Sequence, residues 1–396
     1  MERSKRLFIL CNAIDDRTRL ERGIDTDSPA ASRKVFLMAK AMRSCGGRVW
    51  IISSGRGRQD WTGRLFARVL RRTHQVPVIY LPFLNLPILS EIVSLIAPVY
   101  LLIRLHRLRH SSVVLFYNRQ SAYLPALITA GFLRFGTALD LEDGALGQSH
   151  WSIQRCWSKA VCFLFDRLCR RGALLACEAL STQTTIRPAI CYYGCVEASQ
   201  PQADWGAGKI SVLMGGTVSS DTGANQLIEA IRILRLEKPT WVENLQFEIT
   251  GKGDCLVDLS SLGRERADPV VRVHGRTTDV EYSEILRRSH VGLALKPTFG
   301  ELANTTFPSK VIELANVGLL VVTTDISDVK KVLAEKALYI SGEGPYELIS
   351  QIHWIVHNRD AARTIAQEGA RLVNRMFNSR DTGQRLLTFL LPNLPC

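Results

Sequence analysis

Within the stretch from Phe299 to Glu313 lie the residue types needed to hold a phosphate and a sugar together. Pro308 and the polar residues before it, Asn304, Thr305 and Thr306, mark a helix start, where free N–H groups and the positive end of the helix dipole attract an anion. Lys310, in the first turn, brings a mobile ammonium to the same anion. Glu313 stands one turn further along, where a carboxylate can accept hydrogen bonds from ribose hydroxyls. Phosphate at the tip with sugar hydroxyls one turn below is the geometry of a nucleoside diphosphate. The same spacing also fits an ordinary helix cap at Ser309, with Lys310 in solvent and Glu313 paired to a neighbour, and spacing alone does not choose.

Two glycine turns are expected upstream of this segment, Gly215-Gly216 and Gly251-Lys252-Gly253, each at the end of an apolar run. Neither is GxGxxG or a Walker A loop, so the usual cradles for NAD or ATP phosphates are missing. A glycine at a strand end still lets backbone approach a ligand, although such turns also merely close a βα loop.

The elements that would position these residues alternate regularly. Strands are expected at Lys209 to Met214, Leu245 to Thr250, Val270 to His274, Val291 to Leu295 and Leu319 to Thr323, with helices at Gly223 to Leu236, Glu281 to Arg288 and Ser309 to Val317. That alternation predicts a Rossmann-like parallel sheet. The first half opens in the same way: an apolar run at Arg6 to Asn12, helical spacing over Ala31 to Arg43, then Val49 to Ser53, with later strands at Ser111 to Tyr117 and Thr137 to Leu141. Ligands of such sheets sit at the carboxyl ends of strands, which predicts one crevice lined by Asn12, Arg119, Glu142 and Asp143. Glu142 and Asp143 are equally suited to capping the loop after their strand.

The polar, turn-rich stretch 197–208 reads as a linker. The expected organisation is therefore a first domain at 1–196, the linker, a second domain at 209–380 and a C-terminal segment at 381–396 that packs back on the first. At 396 residues, with 46% hydrophobic residues, the chain has ample material for two cores, and disorder or a small disulfide scaffold is excluded.

Charge is unevenly placed. Of 50 Lys+Arg and 37 Asp+Glu, residues 1–200 hold 28 and 14, so the formal surplus of +13 belongs to the first half. Such a half faces an anionic surface. No helix-turn-helix, zinc finger or RNP-type strand is present, which argues against nucleic acid. Val78 to Ile103 carries the single charge Glu91 and three prolines, Pro82, Pro87 and Pro98, so one straight spanning helix is not expected and shallow insertion fits better. Before it, Trp61, Leu65 and Val69 with Phe66 and Leu70 recur at helical spacing among Arg64, Arg68, Arg71 and Arg72; after it come Arg104, Arg107 and Arg109. Apolar burial by Ile92, Leu95 and Leu101, with headgroup attraction by these arginines, predicts contact with an anionic membrane. A buried core helix with a solvated basic rim is the other reading.

The ten cysteines contain no CxxC and follow no secretory h-region, which reads as reduced thiols in a cytosolic protein. Cys191-x3-Cys195 has no second pair of ligands, and neither His106 with His110 nor His353 with His357 has an HExxH glutamate, so no metal is expected.

Taken in order, Ile210 to Gly216, Gly223, Ile228 to Ala230, Phe247 to Gly253, Val271 to Gly275, Phe307 to Glu313 and Gly318 resemble the donor half of the GT-B glycosyltransferases, specifically glycosyltransferase family 4. The resemblance runs over about 209–380 and is faint before 200. It implies an α/β protein of GT-B type, two Rossmann-like doubly wound domains facing a cleft, that transfers sugar from a nucleotide diphosphate with retention. By this likeness Glu313 holds the ribose; Lys310, Ser309 and the amides of Asn304, Thr305 and Thr306 hold the diphosphate; backbone near Arg272 and His274 holds the base; and Gly215, Gly216 and Gly251 lie near the phosphates. The chain departs from the family at two places. The E-x7-E pattern has Thr305 where its first carboxylate belongs, leaving Glu301 as a replacement, and no cation stands between Lys209 and Arg232. Lys310, with Arg119 or Arg276 as helpers, is then left to neutralise the leaving group without a DxD-bound metal.

The expectation is thus a peripheral enzyme on the inner face of the cell membrane. Its donor is a nucleotide sugar, it needs no other cofactor, and its acceptor is lipid-linked or a surface polysaccharide, oriented by Glu142 or Asp143. Its rivals are a nucleotide-sugar 2-epimerase and an inactive membrane scaffold on the same fold.

Overall fold

Alternation of apolar runs and amphipathic helices produces two separate parallel sheets. The computed structural model describes residues 5–57, 62–107, 112–144, 152–199, 203–206, 208–298, 303–342 and 344–392. Trp61, Arg109, His110, Ser111 and the segment from Phe299 to Leu302, with Glu301, lie outside them. The chain divides into two units, 1–195 with 379–396, and 196–378.

In the first unit β1 (Arg6–Cys11) is buried over nearly its whole length. After α1 (Asp16–Arg22) comes α2 (Pro29–Ser44), started by the Ser28 hydroxyl accepting from Ala31 N and by proline at its first position. Its Val35, Met38, Ala39 and Met42 recur every three or four residues and are buried. The chain then forms β2 (Arg48–Ser53), β3 (Leu65–Phe66), β4 (Val69–Thr73), β5 (Val76–Tyr80), β6 (Phe83–Leu84) and α3 (Leu89–His106). It returns as β7 (Ser112–Tyr117), α4 (Leu124–Phe132), β8 (Gly136–Leu141), α5 (Ser152–Leu168), β9 (Gly172–Leu175) and β10 (Ala189–Cys191).

The sheet order is β10-β9-β8-β7-β1-β2-β5-β4. All pairs are parallel except β4 with β5. Order reverses between β1 and β7, so the ligand-competent crevice of this unit lies beyond Cys11 and Tyr117.

Here the helix expected around Leu65 to Leu70 is corrected: these residues form β3 and β4. A hairpin joins β4 to β5, pairing Thr73 with Val76 across His74 and Gln75. The long apolar stretch from Val78 divides into strand and helix, because Pro82 and Pro87 end helical continuity before Leu89. Pro98, by contrast, is accommodated inside α3 on its buried face.

The second unit runs β11 (Ile210–Thr217), α6 (Ala224–Glu237), β12 (Leu245–Lys252), α7 (Leu256–Arg264), β13 (Val270–Gly275), α8 (Asp279–Arg288), β14 (Val291–Ala294), α9 (Lys310–Asn316), β15 (Leu320–Thr324), α10 (Val329–Leu333), β16 (Leu338–Ile340), α11 (Pro345–His357) and α12 (Arg359–Phe377). Its six strands, all parallel, are ordered β13-β12-β11-β14-β15-β16 and reverse between β11 and β14. The described part of the expected linker is bound into this unit. Trp205 is buried in its core, and the Asp204 carbonyl takes the Nε2 hydrogen of His290, whose Nδ1 accepts from Ser211 N at 3.0 Å. Burial holds His290 below the ordinary imidazole range, consistent with one nitrogen accepting. Finally α13 (Ser379–Leu390) leaves the second unit and packs on α2 of the first, sinking Leu386, Leu387 and Leu390 into its core.

Candidate donor and acceptor sites

At the order reversal of the second sheet, β11 does not turn at Gly215-Gly216 as the sequence suggests. It continues as strand, pairing Gly215 with Thr250, Gly216 with Gly251 and Thr217 with Lys252. The two glycines instead open space. Gly216 has φ +94, and a β-carbon there would lie 2.9 Å from Lys310 Cε and closer still to Nζ. Thus the ammonium expected to meet a phosphate lies against the bare end of β11, at the carboxyl edge where doubly wound sheets bind ligands. Gly251 acts differently: its φ is +130, and a side chain there would run into the Gly216 carbonyl, so it permits close strand approach.

Lys310 is the first residue of α9, whose start is set by buried Pro308; the Pro308 carbonyl accepts from Val311 N at 2.9 Å. Ser309 occupies the cap position but makes no side-chain cap bond. Lys310 and Glu313 are both half-buried. Thr305 is buried and Thr306 half-buried, while the exposed Asn304 accepts from Ser327 N at 3.4 Å, tying this loop to the loop after β15. Tyr282 of α8 was not singled out from sequence. A β-carbon on Gly215 would lie 3.5 Å from its hydroxyl, so it stands beside the same strand end. The capping box of Thr278 with Glu281, which starts α8, was the available signal.

Arg272 and His274 turn their side chains toward Glu248. This buried carboxylate accepts from His274 Nε2 at 2.5 Å, Arg288 Nη2 at 2.9 Å and Arg272 Nη1 at 3.1 Å. Burial pushes the Glu248 carboxyl up, but the hydrogen bonds from His274, Arg288 and Arg272, with the Arg288 charge, outweigh it and leave it below the usual carboxylate range. The cluster joins β12, β13 and α8. Arg276 follows in the half-buried loop beyond β13.

In the first unit the expected crevice residues separate by role. Asn12 grips the backbone of Arg56 in both directions, donating to its carbonyl at 3.0 Å and accepting from its N–H at 3.2 Å. Arg119 is corrected as a diphosphate helper: its guanidinium is buried, donating to Asp166 at 2.5 Å and to the Gln183 carbonyl at 3.0 Å. Glu142 accepts from Lys34 Nζ at 2.6 Å, and Asp143 is 3.5 Å from Asn118 Nδ2.

Two further residues, missed in sequence, complete this corner. Lys34 of α2 is buried, 5.0 Å from the Tyr192 ring centroid. Burial lowers its proton affinity, but the charges of Glu142 and Asp140 and the Glu142 hydrogen bond raise it above the ordinary lysine range. Asp140 of β8 is buried with neither oxygen receiving a hydrogen bond among the described residues. Burial first, then the Glu142 charge, pushes its carboxyl well above the usual range, against the opposing pull of the Lys34 charge. An acidic residue inside the apolar run from Thr137 to Leu141 was the visible signal.

The basic face is likewise redistributed. Arg64, Arg68, Arg72 and Arg104 are exposed, whereas Arg71 pairs with Glu21 and is half-buried. Among the described residues α3 alone is long and apolar enough to cross a membrane by length and composition, yet one of its faces is in the fold. Leu101, expected outside, is 5% exposed and belongs to that inner face. Outward point Ile92, Ile96, Tyr100 and Ile103, with Leu95 half-buried.

Comparison with known proteins agrees with this architecture. Residues 226–388 match the family described as glycosyl transferase-like. Among solved structures, Anabaena HepE in complex with UDP and glucose aligns over 98% of this chain and 99% of its own, at TM-score 0.68 and 16% identity. A UDP-forming α,α-trehalose-phosphate synthase from Burkholderia xenovorans, in complex with glucose-6-phosphate, aligns over 97% and 99% at 0.67 and 11% identity. Sucrose-phosphate synthase from Thermosynechococcus elongatus aligns over 96% and 97% at 0.66 and 13%. No curated protein matches the sequence. The fold is that of the GT-B glycosyltransferases.

Proposed function

We propose that the protein is a retaining glycosyltransferase, similar to family 4, that moves a sugar from a nucleotide diphosphate to a lipid-linked or surface-polysaccharide acceptor at the cytoplasmic face of the membrane. The observation that carries this reading is the Lys310 ammonium lying against Gly216 at the order reversal of the second sheet. The UDP in HepE and the match over 226–388 support a nucleotide-sugar donor.

In this reading the leaving group is a nucleotide diphosphate, and the main electrostatic task is to stabilise its developing charge. Lys310 supplies the cation, Glu313 accepts from the ribose hydroxyls, and main chain beyond Gly275 meets the base. The acceptor hydroxyl attacks from the face the leaving group departs, so no protein nucleophile is required. The acceptor is assigned to the first unit, where Asp143 borders the carboxyl end of β8. The exposed arginines and the outward face of α3 are its membrane side.

Radiolabelled UDP- and GDP-sugars incubated with the protein and membrane lipid extract test this reading. Label transferred to lipid supports it. Conversion of free sugar nucleotide without transfer replaces it with an epimerase, and membrane binding without turnover replaces it with an inactive scaffold.

A further inference from the structure

On the face of the first sheet covered by the end of α3 lies a cavity of about 440 Å³. Its floor is apolar: Trp50 of β2, Ile79 of β5 and Leu101 and Leu105 near the end of α3. The register explains their meeting. Ile52 pairs with Ile79 and Ile79 with Leu70, so Leu70 and Ile79 share a rung, and Trp50 lies two residues from Ile52 on the same face.

Three arginines, Arg68, Arg104 and Arg107, complete the lining, and no carboxylate does. Among the described residues none of the three has a carboxylate partner; Arg104 instead lies 5.2 Å from the Tyr100 ring centroid. A greasy floor under three uncompensated cations is complementary to one chemistry, an acyl chain with an anionic head. The outward stripe Ile92, Ile96, Tyr100 and Ile103 runs along the same helix toward this opening.

The cavity is separate from the crevice already described. Its strands are β2, β5 and β4, whereas Tyr117 and Asp143 stand at the carboxyl ends of β7 and β8, on the other side of β1 in the sheet order. A lipid held here is therefore not the acceptor.

We propose that this cavity seats the headgroup and upper acyl chain of one anionic phospholipid, fixing how the first unit sits on the bilayer. The proposal rests on the membrane-side reading above and gives that surface a lipid preference. A volume of about 440 Å³ falls within the range of small-ligand pockets.

Trp50 provides the readout. Short-chain phosphatidylglycerol, kept below its micelle concentration, is titrated against the protein while tryptophan emission is followed. The expected result is a saturable change that Trp50→Phe removes and that phosphatidylcholine of equal chain length does not produce. Arg107→Ala weakens the response about fivefold, the factor expected for one basic residue near an anionic headgroup. Leu105→Phe, which fills the floor without adding a tryptophan, abolishes it. Inorganic phosphate alone at the same concentrations produces no change. Equal responses to the two lipids, an equal response to phosphate, or a response surviving Leu105→Phe would overturn the proposal.

Flotation on vesicles of phosphatidylcholine with and without phosphatidylglycerol separates this from the underlying reading. Vesicle binding without lipid preference, with no emission change, sinks the lipid seat and leaves membrane contact. An emission change without any vesicle binding sinks membrane contact and leaves the seat.

Discussion

The ammonium of Lys310 stands where a side chain on Gly216 would have to go, so any larger residue at position 216 must push the lysine tip aside. Gly216→Ala must place a β-carbon at φ +94 and displace the lysine tip. Its expected outcome is a loss of transfer of the same order as Lys310→Ala, about 10²-fold in kcat, the usual cost of removing one donor to a developing anion. Because both changes remove the same interaction, the double variant loses little beyond the worse single. Full turnover by Lys310→Ala would show that the lysine does not serve the diphosphate, and losses that multiply would show that Gly216 acts apart from it.

Glu248 and the three side chains that donate to it predict an acid limit to the stability of the second unit. The folded-state pKa of Glu248 lies below its ordinary value of 4.5, so its contribution is present above that pH and is lost as pH falls through the depressed value. Glu248→Gln is expected to cost about 2 kcal/mol near neutrality, where charge-assisted hydrogen bonds are lost. It should also flatten the decline below pH 4.5, a difference thermal melts across pH 3 to 7 will read. A variant that melts in parallel with wild type throughout would leave the cluster without a stabilising role.

Arg119 and Asp166 predict a variant that harms the fold and spares the donor. Removing the guanidinium leaves the half-buried Asp166 carboxylate with, among the described residues, only its Thr184 and Thr185 donors, at a cost of about 2 to 3 kcal/mol, the lower side of what breaking a buried pair costs. Arg119→Met is therefore expected to lower the melting temperature sharply while donor affinity, measured by calorimetry below that temperature, is unchanged. Weakened donor binding in the folded variant would restore its discarded diphosphate role.

The sequence exposes strands such as Val291 to Ala294 and the grouping of Pro308, Lys310 and Glu313, because these depend on local apolar runs and on spacing within one helix. It conceals the β4–β5 hairpin, whose turn residues His74 and Gln75 have φ of 48 and 67 without the Asn-Gly signature that normally announces such a turn. Arginines spaced among Leu65, Val69 and Leu70 then imitate an amphipathic helix. Nor does local pattern reveal that Gly216 stays in strand, since that follows from its pairing with Gly251. Partners across long separations are equally hidden: Lys34 meets Glu142 over 108 residues.

That last pair makes the carboxyl edge of the first sheet depend on one buried cation. Lys34 neutralises Glu142 directly and partly offsets the burial and Glu142 charge that push the Asp140 carboxyl up. Lys34→Met removes the cation while keeping the volume, leaving Glu142 and Asp140 without compensation, and should destabilise the first unit by about 3 to 5 kcal/mol. Both Lys34 and Asp140 have raised folded-state values. The stability each contributes is therefore present below its unfolded pKa and lost as pH rises through the folded one. In wild type the Asp140 contribution fades on the alkaline side of the ordinary carboxylate range. Asp140→Asn, always neutral, is expected to lose less stability between pH 5 and 8 than wild type, as read from thermal melts, and to suppress part of the Lys34→Met defect. If the two variants are instead strictly additive, the carboxyl at 140 does not feel the lysine, and the ion pair of Lys34 with Glu142 carries the defect by itself.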